Sequence, residues 1–316
     1  MVKLFFVSCL GSDLIIKGEC VHLIDLGDKW SVEDKARLLS AGAVFHSVEQ
    51  DGITLHFHDI KEVCACGRII ANALGFQSVN AVMVLKNVLK RMLSACREEF
   101  SMRELQDYLA IIEEDVPEER DWKLKIWERL DSCDELSKIR FRVDAGSEFS
   151  LNSAIWDFSG LDDTFAQVAA CLISFCLLCR QKRRFKNGRK MNRVFIIVDE
   201  FQVLDCDRRS VIGTCLVEGQ KYGLALILIT QFLRGNFSDA VISQFKQGGY
   251  RFYFRLTEEE AAIVSRELAG NSRERGILYQ KLVQLPQGHC MMIGRHYIED
   301  KGIVREAYRF VEIKDR

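Results

Sequence analysis

The chain has 316 residues, 48% hydrophobic and 28% charged, with a formal net charge of -1. Its length suits one large domain or one domain carrying an insert, and its composition is that of an ordinary soluble globular protein. No uninterrupted apolar run approaches the roughly 18–20 residues of a membrane-spanning helix, so no intrinsic span is expected, while near-neutrality leaves nucleic acid open, because that partner needs only a local basic surface.

In chain order, the apolar N-terminus Met1–Leu10 has one positive charge but no small-residue cleavage site after it, so it reads as part of the fold rather than as a signal peptide. Val2–Ser8 and Cys20–Ile24 are predicted strands. Ser31–Leu39 is a predicted helix, with Ser31 placed to cap it and Asp34 three residues on. Val44–Val48 and Ile53–Phe57 are further strands, and Val79–Leu93 is an amphipathic helix. The charged, helix-periodic stretch Ser101–Arg142 reads as a small helical insertion, broken at Val116-Pro117 because the residue before proline is pushed out of the helical region.

From Leu151 onward strands and helices alternate. Ala154–Phe158 is a short strand, and Asp162–Arg184 is a helix with Phe165, Val168, Ala169, Leu172, Phe175 and Cys176 on one buried face. Arg193–Val198 and Leu224–Thr230 are continuous apolar strands of the kind buried on both faces of a parallel sheet. Between them lies a helix over about Arg209–Lys221. Tyr250–Arg255 alternates polar and aromatic residues and reads as a strand nearer the sheet edge. Helices over Glu258–Ala269 and Arg273–Val283 and a closing strand pair, His289–Gly294 and Val304–Val311, complete the chain. Alternating strands and helices argue for an α/β fold, a mostly parallel sheet with helices on both faces. The expected division is 1–98 and 151–316 as two parts of one core, with 99–150 the helical insertion between them.

The twelve cysteines are spread out, mostly in apolar contexts, and read as buried reduced thiols of a cytoplasmic protein. Cys64-Ala65-Cys66 and Cys176-Leu177-Leu178-Cys179 have ligand-like spacing, but neither has a second pair or a histidine cluster close by in sequence. His56-Phe57-His58 reads as an exposed face of a strand for the same want of further ligands.

The sharpest feature is Phe195-Ile196-Ile197-Val198-Asp199-Glu200, an apolar strand ending in two carboxylates. The carboxyl end of a parallel strand is where α/β folds bind ligands, and adjacent carboxylates suit a hard cation and an attacking water. A second buried strand ends in Thr230-Gln231, preceded by Glu218-Gly219-Gln220-Lys221-Tyr222-Gly223. Lys182-Arg183-Arg184-Phe185-Lys186-Asn187-Gly188-Arg189-Lys190 is basic at six of its nine positions and reads equally as a solvated loop or a DNA contact.

These segments in this order resemble the HerA/FtsK superfamily of P-loop ATPases, including the motors of conjugation and type IV secretion. The resemblance is strongest over about Leu151–Arg295 and looser over Val21–Met92, and it takes in Ile155–Leu161, Ile242–Lys246 and Thr257–Ala261. It implies a RecA-like (ASCE-type) core, ATP and Mg²⁺ as cofactors, DNA as a partner, and a ring, either a homo-hexamer or a hetero-ring with an active paralogue. By resemblance Asp199 holds Mg²⁺, Glu200 activates water, Thr230 and Gln231 read the γ-phosphate, Lys221 lies in the nucleotide-contacting segment, and Arg251 or Arg255 is the arginine finger of a neighbouring subunit. Two positions depart from the pattern. No G-x-x-x-x-G-K-[ST] occurs, and Gln220 stands where the family usually has arginine. The first strand, loop and helix of such a core need about thirty residues, more than precede His22. Three readings follow: a motor whose phosphate loop is truncated or degenerate, a non-hydrolysing subunit of such a ring, and a DNA-binding module without nucleotide chemistry.

Overall fold

The computed structural model describes residues 2–27, 29–95, 99–111, 117–143, 152–188, 192–207, 210–231, 237–246, 249–298 and 303–313. The chain divides into two compact units, Gly11–Gln231 on one side and Met1–Leu10 with Phe232–Arg316 on the other. The first element, α1 (Val2–Ile16), contributes to both. It replaces the strand predicted at Val2–Ser8. Short apolar runs do not distinguish helix from strand, and here the buried positions Leu4, Val7, Ser8 and Gly11 follow helical spacing.

The larger unit continues with β1 (Cys20–Asp25), α2 (Val32–Ser40), β2 (Val44–Ser47), α3 (Val48–Asp51), β3 (Ile53–Phe57), α4 (Ile60–Ala73), α5 (Val79–Ser94), β4 (Glu99–Ser101), α6 (Met102–Ile111), α7 (Pro117–Asp131), β5 (Ile139–Val143), β6 (Ala154–Asp157), α8 (Asp163–Lys186), β7 (Val194–Val198), α9 (Val211–Glu218) and β8 (Leu224–Leu228). Five strands form one wholly parallel sheet in the order β2-β6-β1-β7-β8. Every residue of β1 is buried, as its central place demands. Helix α2 leads leftward from β1 to β2, whereas α8 and α9 lead rightward to β7 and β8. Right-handed crossovers running in opposite directions lie on opposite faces, so helices cover both.

Strand β3 is not part of this sheet. It pairs with β5, which pairs with β4, so the predicted helical insertion also carries two strands. Their core is aromatic: Phe57, Phe100 and Phe141 are fully buried, with ring centroids 5.1 Å apart for Phe100–Phe141. Proline opens α7 at Pro117, where its missing N–H costs nothing. Helix α8 is capped by the Asp162 carboxylate, which accepts from the N–H groups of Thr164 and Phe165. By length and composition α8 could cross a bilayer, but 67% of its most apolar window is buried inside the structure, as in a core helix.

The smaller unit contains α10 (Asp239–Lys246), β9 (Tyr250–Tyr253), α11 (Glu258–Leu268), α12 (Ser272–Val283), β10 (His289–Ile298) and β11 (Ile303–Glu312). The last two strands form a long hairpin to which β9 adds at one edge, giving an antiparallel sheet β11-β10-β9 separate from the parallel one. Ala261, Val264, Leu278, Leu282 and Met291 form its core.

Candidate functional site

The parallel sheet brings polar residues from four strands to its carboxyl rim: Asp157 ending β6, Asp25 ending β1, Asp199-Glu200 after β7 and Thr230-Gln231 after β8. Backbone pairing runs beyond the strands proper and fixes these positions. The Asp199 N–H donates to the Ile24 carbonyl (3.2 Å), the Ile229 N–H to Val198 (2.9 Å), and the Phe201 N–H to Ile229 (3.2 Å). The rim also has a topological focus. The connection after β1 runs left and the one after β7 runs right, so the two neighbouring strands part at their carboxyl ends, the place where open α/β sheets bind ligands.

Glu200 lies at this focus in the left-handed region (φ 53°, ψ 38°), the one non-glycine residue with positive φ among those described. That conformation costs about 1–2 kcal/mol and tends to mark functional sites. The Gln231 amide donates to Glu200 Oε1 at 2.7 Å. Lys29 Nζ donates to the same oxygen, and the Gln202 amide donates to Oε2. Burial pushes the Glu200 carboxyl up, but the hydrogen bonds from Lys29, Gln202 and Gln231 outweigh it and hold the group below its ordinary value. Gly27, in the turn after β1, lies so close that a Cβ there would stand 2.9 Å from Glu200 Cγ. Only glycine lets the β1 loop reach the carboxylate in this way.

Asp199 is buried. Its Oδ1 accepts the Glu200 N–H at 2.9 Å, whereas Oδ2 has no hydrogen-bond partner. Burial, with the adjacent Glu200 charge second, pushes its pKa up to about 6. A buried carboxylate oxygen without a donor is an open ligand position for a hard cation. Among the described residues no group of three or more His, Cys, Asp or Glu is placed to hold a metal. Mg²⁺ keeps several waters and needs one or two carboxylates plus ligand phosphate.

On the other side of β1 a single lysine faces two acids. Lys35, on α2, stands 3.0 Å from Asp25 Oδ2 and 3.3 Å from Asp157 Oδ2. Burial keeps Asp25 above its ordinary value despite Lys35. For Asp157 burial acts upward too, but Ser159 and Lys35 outweigh it and hold the group down. Lys29, Gln202 and Lys35 belong to no motif in the sequence.

The remaining sequence candidates lie elsewhere. Lys221 precedes β8 and is therefore at the amino end of that strand, away from the rim within this chain, with its Nζ 5.5 Å from the Tyr222 ring. Arg251 and Arg255 belong to the smaller unit. Arg251 pairs with Glu267 at 3.5 Å, and Arg255 is exposed. In the basic run, Lys182 pairs with Glu218 (2.9 Å) and Arg183 with Glu62 (3.2 Å). Arg184 is half-buried, Lys186 is exposed, and Arg189 and Lys190 lie outside the described residues. Helices α4 and α8 do bring Cys66 within electrostatic reach of Cys176 and Cys179, a proximity that sequence separation hid.

No protein-family model matches this sequence, and neither does any curated protein sequence. Solved structures do. VirB4 of Thermoanaerobacter pseudethanolicus superposes with a TM-score of 0.64 at 13% identity, covering 99% of this chain and 86% of that one. The bacterial conjugative coupling protein TrwB, in its ΔN70 form, gives 0.60 at 12% identity over 94% of this chain and 79% of its own. The plasmid coupling protein TrwB in complex with ADP and Mg²⁺ gives 0.53 at 11% identity over 96% and 86%. The chain thus has the RecA-like α/β fold of these proteins.

Proposed function

We propose that this chain is an ATP-driven motor domain of the HerA/FtsK superfamily, acting in DNA transfer as a DNA translocase. The observation that carries the reading is the 2.7 Å bond between Gln231 and Glu200, which joins an amide and an acidic doublet from neighbouring parallel strands at the topological switch point. In this reading Asp199 Oδ2 holds Mg²⁺, which supplies charge neutralisation for the transferring phosphoryl group. Glu200 orients the attacking water and accepts its proton, Gln231 and Thr230 face the γ-phosphate, and Arg251 or Arg255 of a neighbouring copy in a ring stabilises the developing charge. TrwB, solved with ADP and Mg²⁺ and named a plasmid coupling protein, supports nucleotide, Mg²⁺ and a DNA-transfer role for this fold. A cytoplasmic, DNA-bound ring completes the proposal.

A second reading, a non-hydrolysing subunit of such a ring, is favoured by one specific arrangement. Glu200 is held by three donors at once. A DNA-binding module without nucleotide chemistry has less support, because Lys182 and Arg183 already spend their charge on Glu218 and Glu62. The deciding experiment measures binding of a fluorescent ATP analogue and phosphate release, each with and without Mg²⁺ and DNA. The motor reading expects Mg²⁺-dependent binding that Asp199→Asn removes, and DNA-stimulated release that Gln231→Ala lowers at least tenfold. Binding without release favours the second reading. No Mg²⁺-dependent binding refutes the motor.

A further inference from the structure

We infer that Lys29 is the phosphate-contacting cation of this site, parked on Glu200 in the ligand-free chain and transferred to the anionic end of a nucleoside triphosphate when one enters the crevice between β1 and β7. The inference rests on the nucleotide reading above.

Four observations support it. First, Lys29 lies four residues beyond the end of β1 and Glu200 two beyond the end of β7, so their contact spans the crevice where the two strands part. Second, the exposures differ: the Lys29 side chain is 46% exposed and that of Glu200 11%, so the lysine approaches from the solvent side and covers the carboxylate. Third, Glu200 does not depend on Lys29 for its position. Gln231 and Gln202 hold one oxygen each, and Gly27 packs against its Cγ, so the carboxylate keeps its place when the lysine leaves. Fourth, the other lysine that the described residues bring to this rim cannot serve. Lys35 is locked between Asp25 and Asp157 and is only 14% exposed.

The electrostatics give the transfer its direction. A lone carboxylate offers a lysine one negative charge, and a triphosphate chain offers several. Lysine serves as a compact point charge on a flexible stem, so the exchange needs only side-chain rotation. Once Lys29 has moved, Glu200 has an oxygen position free to accept from water. One residue thereby links ligand arrival to exposure of the general base.

The test is a double-mutant cycle on binding, read by fluorescence anisotropy of a non-hydrolysable fluorescent ATP analogue with Mg²⁺. The chains are wild type, Lys29→Met, Glu200→Gln and the double variant, each checked by thermal melting for a folded state. Lys29→Met is expected to weaken binding about tenfold or more, the usual size of one charge-assisted hydrogen bond. Glu200→Gln, which releases the lysine, is expected to tighten binding several-fold, and that gain should largely vanish in the Lys29→Met background. Lys29→Arg should retain most of the affinity, and Lys29→Gln, which can still bond Glu200 but carries no charge, should behave as Lys29→Met does. Equal tightening by Glu200→Gln with and without Lys29, or unchanged affinity in Lys29→Met and Lys29→Gln, overturns the inference while leaving the nucleotide reading intact. Failure of the wild-type chain to bind the analogue overturns the nucleotide reading itself, and the inference with it.

Discussion

Lys35→Met removes the one cation between Asp25 and Asp157 and leaves two acids facing each other at the rim, with Asp199 beyond them on β7. Methionine replaces the aliphatic stem, so packing is largely kept and charge is what changes. Breaking a buried pair by removing one partner costs about 3–5 kcal/mol. The lower end, about 3 kcal/mol, applies here because the Lys35 and Asp157 side chains keep 14% and 16% exposure and some solvent screening. For a unit spanning Gly11–Gln231, with each kcal/mol worth about 2–4 °C, that is a fall in Tm of about 6–12 °C. The deficit is pH-dependent, and its sign is fixed. Asp25 already has a raised pKa in the fold, because burial outweighs Lys35, and loss of Lys35 raises it further. A carboxyl raised in the folded state is relieved by protonation, so the penalty is full above its folded pKa and disappears below the unfolded value of about 3.9. Asp157 acts in the same sense. Its carboxyl is held down partly by Lys35, a contribution present above about pH 4 and lost below it. Thermal unfolding followed by circular dichroism at pH 7.5 and 4.5 should therefore show a deficit that is smaller at the lower pH. An equal deficit at both values, or one below about 1 kcal/mol at pH 7.5, would show that Lys35 does not neutralise this part of the rim.

Three shorter tests concern other parts of the larger unit. Glu200→Gly and Glu200→Ala lose the same side-chain bonds, but only alanine keeps the left-handed penalty, so urea unfolding should find the glycine variant more stable by about 1 kcal/mol; equal stabilities would remove the strain. His22 is buried between Cys20 and Trp156, with His46 and Arg180 within electrostatic reach, and burial lowers its pKa to about 3. A depressed histidine costs stability as pH falls from about 6.5, so relative to His22→Gln the wild type should lose up to about 1.4 kcal/mol per pH unit between pH 6 and 4, measured by urea melts; parallel curves would contradict this. If the basic run contacts DNA, Lys186→Ala should reduce the salt slope of binding by about one, and Lys182→Ala and Arg183→Ala, already paired to acids, by less; no change in any of the three excludes the run as an interface.

The strands of the parallel sheet were legible in the sequence because their signal is local. Val194–Val198 and Leu224–Leu228 are unbroken apolar runs, and each ends in the polar residues that form the rim. Their adjacency was inferred, and the 2.7 Å Gln231–Glu200 bond measures it. The N-terminal helix was not legible, since Leu4–Val7 is apolar throughout and its helical spacing depends on Ser8 and Gly11 being buried. Nor was the second sheet: β4 has three residues and β5 five, and the pairing of β5 with β3 is a long-range contact that no local pattern encodes. The larger omission is chemical. Lys29 lies far from Glu200 in sequence and has no motif of its own, so only the approach of the β1 loop, permitted by Gly27, reveals it.

The rim's charges divide into two halves that do different work. To the left, Lys35 stands between Asp25 and Asp157, and Asp25 Oδ1 stays buried without a hydrogen-bond partner. To the right, Asp199 keeps an oxygen without a donor, and Glu200 holds its partners in a strained backbone conformation beneath a half-exposed lysine. A purely structural rim would have been satisfied on both sides, since an unpaired buried carboxylate oxygen and a left-handed glutamate each cost about 1–3 kcal/mol with no return in packing. These costs, with that of Asp25 Oδ1, gather at the carboxyl ends of β1 and β7, the strands that part from each other, where an entering anion and its cation could relieve them.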